Sequence, residues 1–187
     1  MSKPTTAGKV QVYTGNGKGK TTCALGAGLR AAGHGLDVIV ISFMKAKTAW
    51  REESGDVNYG EFRSIESIPN FTIIPMGREC WVDKENPDPL DIKMAQDGLK
   101  LAQEILDEHK CDVLILDEIN VAVEWKLITL NEQLDLIERK PNDIELIMTG
   151  RYARPEILEA ADLVTEMREV KHYFATEKLP ARRGFEF

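Results

Sequence analysis

The sequence predicts a three-layer α/β fold around a mostly parallel sheet, and three observations carry that expectation. Short apolar runs rich in β-branched residues recur along the chain, segments of helical periodicity separate them, and the runs Val38-Ile39-Val40-Ile41 and Val113-Leu114-Ile115-Leu116 are apolar on both faces. A strand with no polar face fits a parallel sheet that helices cover from both sides.

Taken in order, the first strand reads as Val10–Thr14, followed by a helix over Thr21–Ala32 and a second strand over Asp37–Phe43. The stretch Met44–Pro69, with Gly55 and Gly60 and weak periodicity, reads as a long loop. A third strand, Phe71–Pro75, leads into a second loop, Met76–Pro89, bounded by prolines. Leu90–His109 is expected as a helix, with Ile92, Ala95, Leu99, Ala102, Ile105 and Leu106 on its apolar face. Strands at Asp112–Asp117 and Ile144–Thr149 alternate with helices at Thr129–Glu138 and Pro155–Ala161, and Leu163–Met167 is a weaker strand. Both loops leave strand ends, where open α/β sheets bind their ligands.

The chain has 187 residues, within the roughly 100–200 expected for one domain, so residues 1–187 are read as a single unit. It carries 31 acidic and 24 basic residues, a formal charge of −7. That balance, with no Lys/Arg run longer than two, argues against a nucleic-acid partner. No window reaches the roughly 18 apolar residues of a membrane span and no apolar leader precedes the first strand, so neither membrane insertion nor export is expected. Cys23, Cys80 and Cys111 are too few and too scattered for a disulfide framework, which points to the cytoplasm. His34, His109 and His172 lack ligand spacing.

The strongest chemical signal is Thr14-Gly15-Asn16-Gly17-Lys18-Gly19-Lys20-Thr21-Thr22, placed between the first strand and the first helix. Gly15, Gly17 and Gly19 let the backbone take left-handed angles and bring successive N–H groups around an anion, and the helix N-terminus adds its dipole. Lys20 brings a point charge to the phosphates, Lys18 a second cation, and Thr21 a hydroxyl suited to Mg²⁺. The pattern G-x-x-x-x-G-K-[ST] is met except at its first position, which is Thr14. A glycine-rich helix cap with no ligand is the competing reading. The strand Val113–Leu116 ends in Asp117-Glu118, in the manner of a Walker B strand whose acids hold the metal directly or through water; a helix cap is again the alternative. Together the two motifs refine the fold to a P-loop NTPase-like, RecA-like domain.

These motifs resemble the ATP-dependent corrinoid adenosyltransferases nearly end to end. Tyr13 to Thr22 is similar to that family's own P-loop, which also departs at the first glycine. Leu116-Asp117-Glu118, Thr149-Gly150-Arg151, Pro155-Glu156-Ile157-Leu158, Ala161 to Met167, Val170-Lys171-His172 and the tail Ala181 to Phe187 follow in the family's order. The resemblance implies transfer of the 5′-deoxyadenosyl group of ATP to the Co(I) of cobalamin or a corrinoid precursor, with release of triphosphate. It also implies Mg²⁺, a homodimer, an electron-donating flavoprotein reductase, and a nucleotide whose ribose carbon faces the acceptor. By the same resemblance Thr14 to Thr22 hold ATP, Lys20 and Lys18 act on the leaving triphosphate, and Thr21, Asp117 and Glu118 hold the metal, while Arg151, just after a strand-end Thr-Gly, contacts phosphate or corrinoid carboxamides. Trp81, in Gly77-Arg78-Glu79-Cys80-Trp81-Val82, matches the Trp of the family's Phe-x-Trp pattern beneath the corrin ring; Arg78 stands near the Phe position, with one extra residue of spacing. Fourteen residues precede Gly15, fewer than in members whose N-terminal segment covers the site.

Plainer readings stand beside these. Trp81 can be an ordinary half-buried aromatic, Arg151 a surface arginine, and Arg182 and Arg183 either a cover for the nucleotide or solvated charges. Trp50 and Trp125 read as core or interface, Glu52-Glu53 and Asp107-Glu108 as solvated surface, and Cys80 as a bystander. Two other functions remain open to the motifs alone: a RecA-like nucleic-acid-dependent ATPase and a small-molecule kinase.

Overall fold

A computed structural model describes residues 7–51 and 55–186. Glu52, Glu53, Phe187 and the Trp50 side chain, for which the sequence gives expectations, lie outside the described residues.

Eight strands and seven helices occur among the described residues: β1 (Val10–Thr14), α1 (Lys20–Gly33), β2 (Val38–Phe43), β3 (Thr48–Arg51), β4 (Gly55–Asn58), α2 (Gly60–Ile65), β5 (Phe71–Met76), α3 (Pro89–Asp107), β6 (Val113–Asp117), α4 (Ile119–Glu124), α5 (Leu130–Arg139), β7 (Glu145–Thr149), α6 (Pro155–Ala160), β8 (Leu163–Glu166) and α7 (Tyr173–Glu177). Six strands form one sheet in the order β5-β2-β6-β7-β1-β8, and every pairing in it is parallel.

Two hydrophobic clusters flank the sheet. One joins α1 and α2 to strand side chains such as Val40 and Ile115; the other joins α3, α4, α5 and α6 to Leu114, Leu116 and Met148. Three layers result, as expected from strands that are apolar on both faces. Helix α1 lies close on the sheet because its buried stripe is Lys20, Ala24, Gly28 and Ala32; a Cβ at Gly28 would come 2.7 Å from the Phe71 ring. The stripe that packs α1 down thus also carries Lys20.

The stretch expected as one loop from Met44 to Pro69 instead holds the antiparallel hairpin β3–β4 and helix α2. Two four-residue strands and a six-residue helix are too short for periodicity to reveal. Helix α3 starts as its sequence suggests, with Asp88 capping Leu90 N at 2.8 Å and Pro89 in the first turn. Its inner face differs from expectation at one turn: Ile92 is 38% exposed and Asp91 is buried, because Arg78 reaches Asp91 through two hydrogen bonds of 2.7 and 2.6 Å. A capping box of Thr129 and Glu132 opens α5. Trp125 packs partly buried against the core, and Asp107 and Glu108 pair at the surface with Arg139 and Lys110.

Candidate functional site

The site lies where β1, β2, β6 and β7 end. Between β1 and α1 the chain turns through Gly15 and Gly19, which adopt φ of +95° and +117°, a region open to glycine at no steric cost. Gly17 differs from expectation in lying outside that region. Its need is space: a Cβ there would fall 2.8 Å from Met167 O. The loop is bonded to the end of β8, with Gly17 N donating to Met167 O at 2.6 Å and Met167 N donating to Thr14 O at 2.7 Å. Thr14 Oγ1 in turn accepts from Ala153 N at 3.4 Å. The glycines therefore admit the β8 segment, and Asn16 and Thr22 remain exposed.

Lys20, 7% exposed, donates to Gly17 O at 2.7 Å. Burial pulls its pKa below the ordinary lysine value, and the Glu118 charge opposes that shift. Thr21 Oγ1 donates to Asp117 Oδ1 at 2.8 Å, and Thr149 Oγ1 donates to the same oxygen at 2.7 Å. Lys45 Nζ lies 2.7 Å from Asp117 Oδ2. Burial would raise the Asp117 pKa, but the Lys45 ammonium and the Thr149 and Thr21 hydroxyls outweigh it and hold the carboxyl below its usual range. Glu118 is pushed the other way by burial and by its charged neighbour Asp117, while Lys45, Lys20 and Arg151 pull against that rise. It adopts φ 64° at the head of α4, and its backbone N–H is held by Thr149 Oγ1 at 3.0 Å. Arg151 is exposed at the β7 end, close enough for its charge to act on both Lys20 and Glu118.

The donor set fits Mg²⁺. Thr21 and Asp117 offer hard oxygens already 2.8 Å apart beside an anion-binding loop. No group of three or more His, Cys, Asp or Glu that could hold a metal exists among the described residues. Glu118 stands adjacent and could act through water.

Lys18 behaves differently from Lys20. It is exposed and donates to Phe185 O at 2.7 Å, so the tail docks on the outer side of the loop. Within that tail the Arg182 guanidinium lies 4.8 Å from the Tyr173 ring centroid and 4.7 Å from that of Phe185, and Glu186 binds both Tyr173 Oη and Arg182 N. Arg182 is thus engaged inside the tail, whereas Arg183 is exposed.

Trp81 is not brought to the phosphate loop. It is 83% exposed on the segment between β5 and α3, which corrects the half-buried alternative. Arg78 anchors that segment to α3, also bonding Asp88 at 3.1 Å. Its start abuts β2: a Cβ at Gly77 would come 2.3 Å from Met44 C and 2.4 Å from Lys45 N. Cys80 is exposed and unpaired.

Sequence reasoning missed Lys45 and Met167 as parts of the site and left Thr149 without a contact. Lys45 follows the expected second strand by two residues, at the strand end that neighbours Asp117 once β2 pairs with β6 in the register Ser42↔Asp117. Only that pairing singles it out from Lys47.

A profile of the family described as ATP:corrinoid adenosyltransferase BtuR/CobO/CobP matches residues 6–187. The corrinoid adenosyltransferase of Pseudomonas aeruginosa is 34% identical over 180 residues, covering 96% of this chain and 84% of the relative. That of Escherichia coli K12 is 35% identical over 167 residues, covering 89% and 80%. Among solved structures, flagellar accessory protein FlaH from Methanocaldococcus jannaschii superposes with a TM-score of 0.53 at 14% identity, over 86% of this chain and 71% of that one. That likeness is one of fold.

Proposed function

The chain belongs to the ATP:corrinoid adenosyltransferase family, and it carries out ATP-dependent adenosyl transfer to a reduced corrinoid; within that function we propose the following roles for its residues. Attack by Co(I) on C5′ of ATP forms the cobalt–carbon bond while the C5′–O bond breaks, and its electron pair leaves with the triphosphate. Because Co(I) is itself a strong nucleophile, no general base is needed. The protein's tasks are alignment of C5′ and stabilisation of the charge that grows on the departing group.

Lys20 and the free amides of the 14–22 loop grip the triphosphate, with the ribose directed at the acceptor. Arg151 approaches the phosphates from β7, and Lys18 adds a cation once it leaves Phe185 O. Thr21 and Asp117 hold Mg²⁺, with Glu118 acting through water. When bound, that ion neutralises charge on the phosphate oxygens. Trp81 covers the corrin face, a use consistent with a large aromatic left 83% exposed. An external flavoprotein supplies the electron that reduces the cobalt.

Two wider proposals have support. The edge strand β8 leaves Leu163 44% and Val164 43% exposed, which suits pairing into a homodimer. Cys23, Cys80 and Cys111 are all unpaired thiols, which suits the cytoplasm. No helix of the described residues is long and apolar enough to cross a membrane.

The observation that carries the assignment of roles is the cluster of Lys20, Thr21 and Asp117 at one end of the sheet. The test is an anaerobic reaction with ATP, Mg²⁺ and chemically reduced cobalamin, followed by absorbance and phosphorus NMR. Organometallic product with inorganic triphosphate is expected; ADP would mark a kinase and overturn the orientation of the nucleotide.

A further inference from the structure

Lys45 has no part in the roles above, yet it makes the closest charged contact in the site. Asp117 is almost fully saturated without any ligand: one carboxylate oxygen accepts two hydroxyls, at 2.8 and 2.7 Å, and the other meets the Lys45 ammonium at 2.7 Å. The Lys45 side chain is only 18% exposed and that of Asp117 1%. Three features fix this contact. Met44 turns the chain with φ 58°, Gly77 leaves room against the Lys45 backbone, and the β2–β6 register brings the two strand ends side by side. The Tyr59 ring centroid lies 5.8 Å from Nζ, a second favourable contact for the cation.

Charge at the site is then balanced without any ligand. Lys45, Lys20 and Arg151 face three carboxylates, Asp117, Glu118 and, from α2, Glu61, which acts on Lys45. A free divalent ion approaching this cluster meets no excess of negative charge and a carboxylate whose two oxygens are already engaged. An arriving triphosphate supplies the negative charge that the cluster lacks.

We propose that Lys45 is a positioning residue that makes divalent-metal binding at Thr21 and Asp117 conditional on the nucleotide. By occupying Asp117 Oδ2 it denies the empty protein a cation site, so the metal enters only as part of the nucleotide complex. The proposal rests on the reading of Thr21 and Asp117 as the metal-holding pair.

The test is Mn²⁺ binding measured by water-proton relaxation enhancement, with and without ATP. The wild-type protein should show no enhancement from a protein-bound ion until ATP is added. Lys45→Met should create a nucleotide-independent site, with affinity raised at least about tenfold by loss of one adjacent unit charge. Lys45→Arg should keep the wild-type behaviour, and Lys45→Met combined with Asp117→Asn should lose the gain. Wild-type protein that binds Mn²⁺ equally well without ATP overturns the proposal even if Lys45→Met does not fold, and so does a folded Lys45→Met with unchanged affinity. A Thr21→Ala control separates the two layers: if the ATP-dependent signal survives it undiminished, the metal-site reading fails and the proposal with it. If that signal is lost while Lys45→Met stays silent, only the role of Lys45 falls.

Discussion

Lys20 sits on the face of α1 that otherwise consists of Ala24, Gly28 and Ala32, so its charge is held by packing as well as by Gly17 O. Lys20→Ala should leave the far-UV spectrum unchanged, since alanine favours the helix. Turnover should fall by at least about a hundredfold, as for loss of a group that stabilises transition-state charge; normal turnover in a folded variant would remove the assigned role. Trp81→Ala should slow the reaction from Co(II) more than the reaction of pre-reduced Co(I), and equal losses in the two assays would count against a place beneath the corrin. The thiols give a pH prediction. Burial, with the charges of Asp112 and Asp37, pushes Cys111 up to about 12 from 9.0. A raised folded-state value favours the neutral thiol, so its contribution to stability is complete below pH 9.0 and fades as pH climbs toward 12. At pH 8 a disulfide reagent should label exposed Cys23 and Cys80 rapidly and reach Cys111 only on unfolding. At this scale the sequence revealed Lys20, Thr21 and Asp117 because a motif fixes their spacing. Lys45 stayed hidden because its meaning depends on a partner 72 residues away.

Elements were legible in proportion to their length and periodicity. All six strands of the main sheet and the helices α1, α3, α5 and α6 fall within two residues of their expected bounds. The hairpin β3–β4, α2, α4 and α7 were not anticipated, since segments of four to six residues carry less than two helical turns or a few alternations. Asp91 shows a second limit: a buried carboxylate on an apolar stripe makes sense only once Arg78 arrives from another segment. The bond between the 14–22 loop and the end of β8 yields its own prediction. Gly17→Ala drives a methyl into Met167 O and Arg168 C, so one segment must retreat. Urea unfolding should show a loss of about 1–3 kcal/mol, the usual cost of overpacking, and ATP affinity should drop with it. Unchanged affinity would mean that the β8 contact does not shape the cradle.

For the molecule as a whole, β8 is one of the two edges of the sheet, and its four residues are all exposed. Exposed edges invite pairing with another chain. If the proposed homodimer pairs through this edge, Val164→Glu should convert it to a monomer in light scattering without changing secondary structure; a wild-type protein that is already monomeric, or a variant that remains dimeric, would overturn that pairing. The three-layer class was readable from sequence because apolar strands leave few alternatives. Strand order was not, since it is set by which strand ends meet in space.

That strand order also bears on biosynthesis. β1 lies between β7 and β8, so the earliest translated strand must wait for two of the latest before its neighbours exist. The bonds from Gly17 and Thr14 to Met167 extend the delay to the anion cradle itself. Contacts of such sequence separation form slowly, and a nascent polypeptide stalled before residue 160 lacks β8 and the Met167 bonds altogether. ATP is thus excluded as a template for early folding on the ribosome, and the emerging chain must rely on its other strands, or on a chaperone, until synthesis is nearly done.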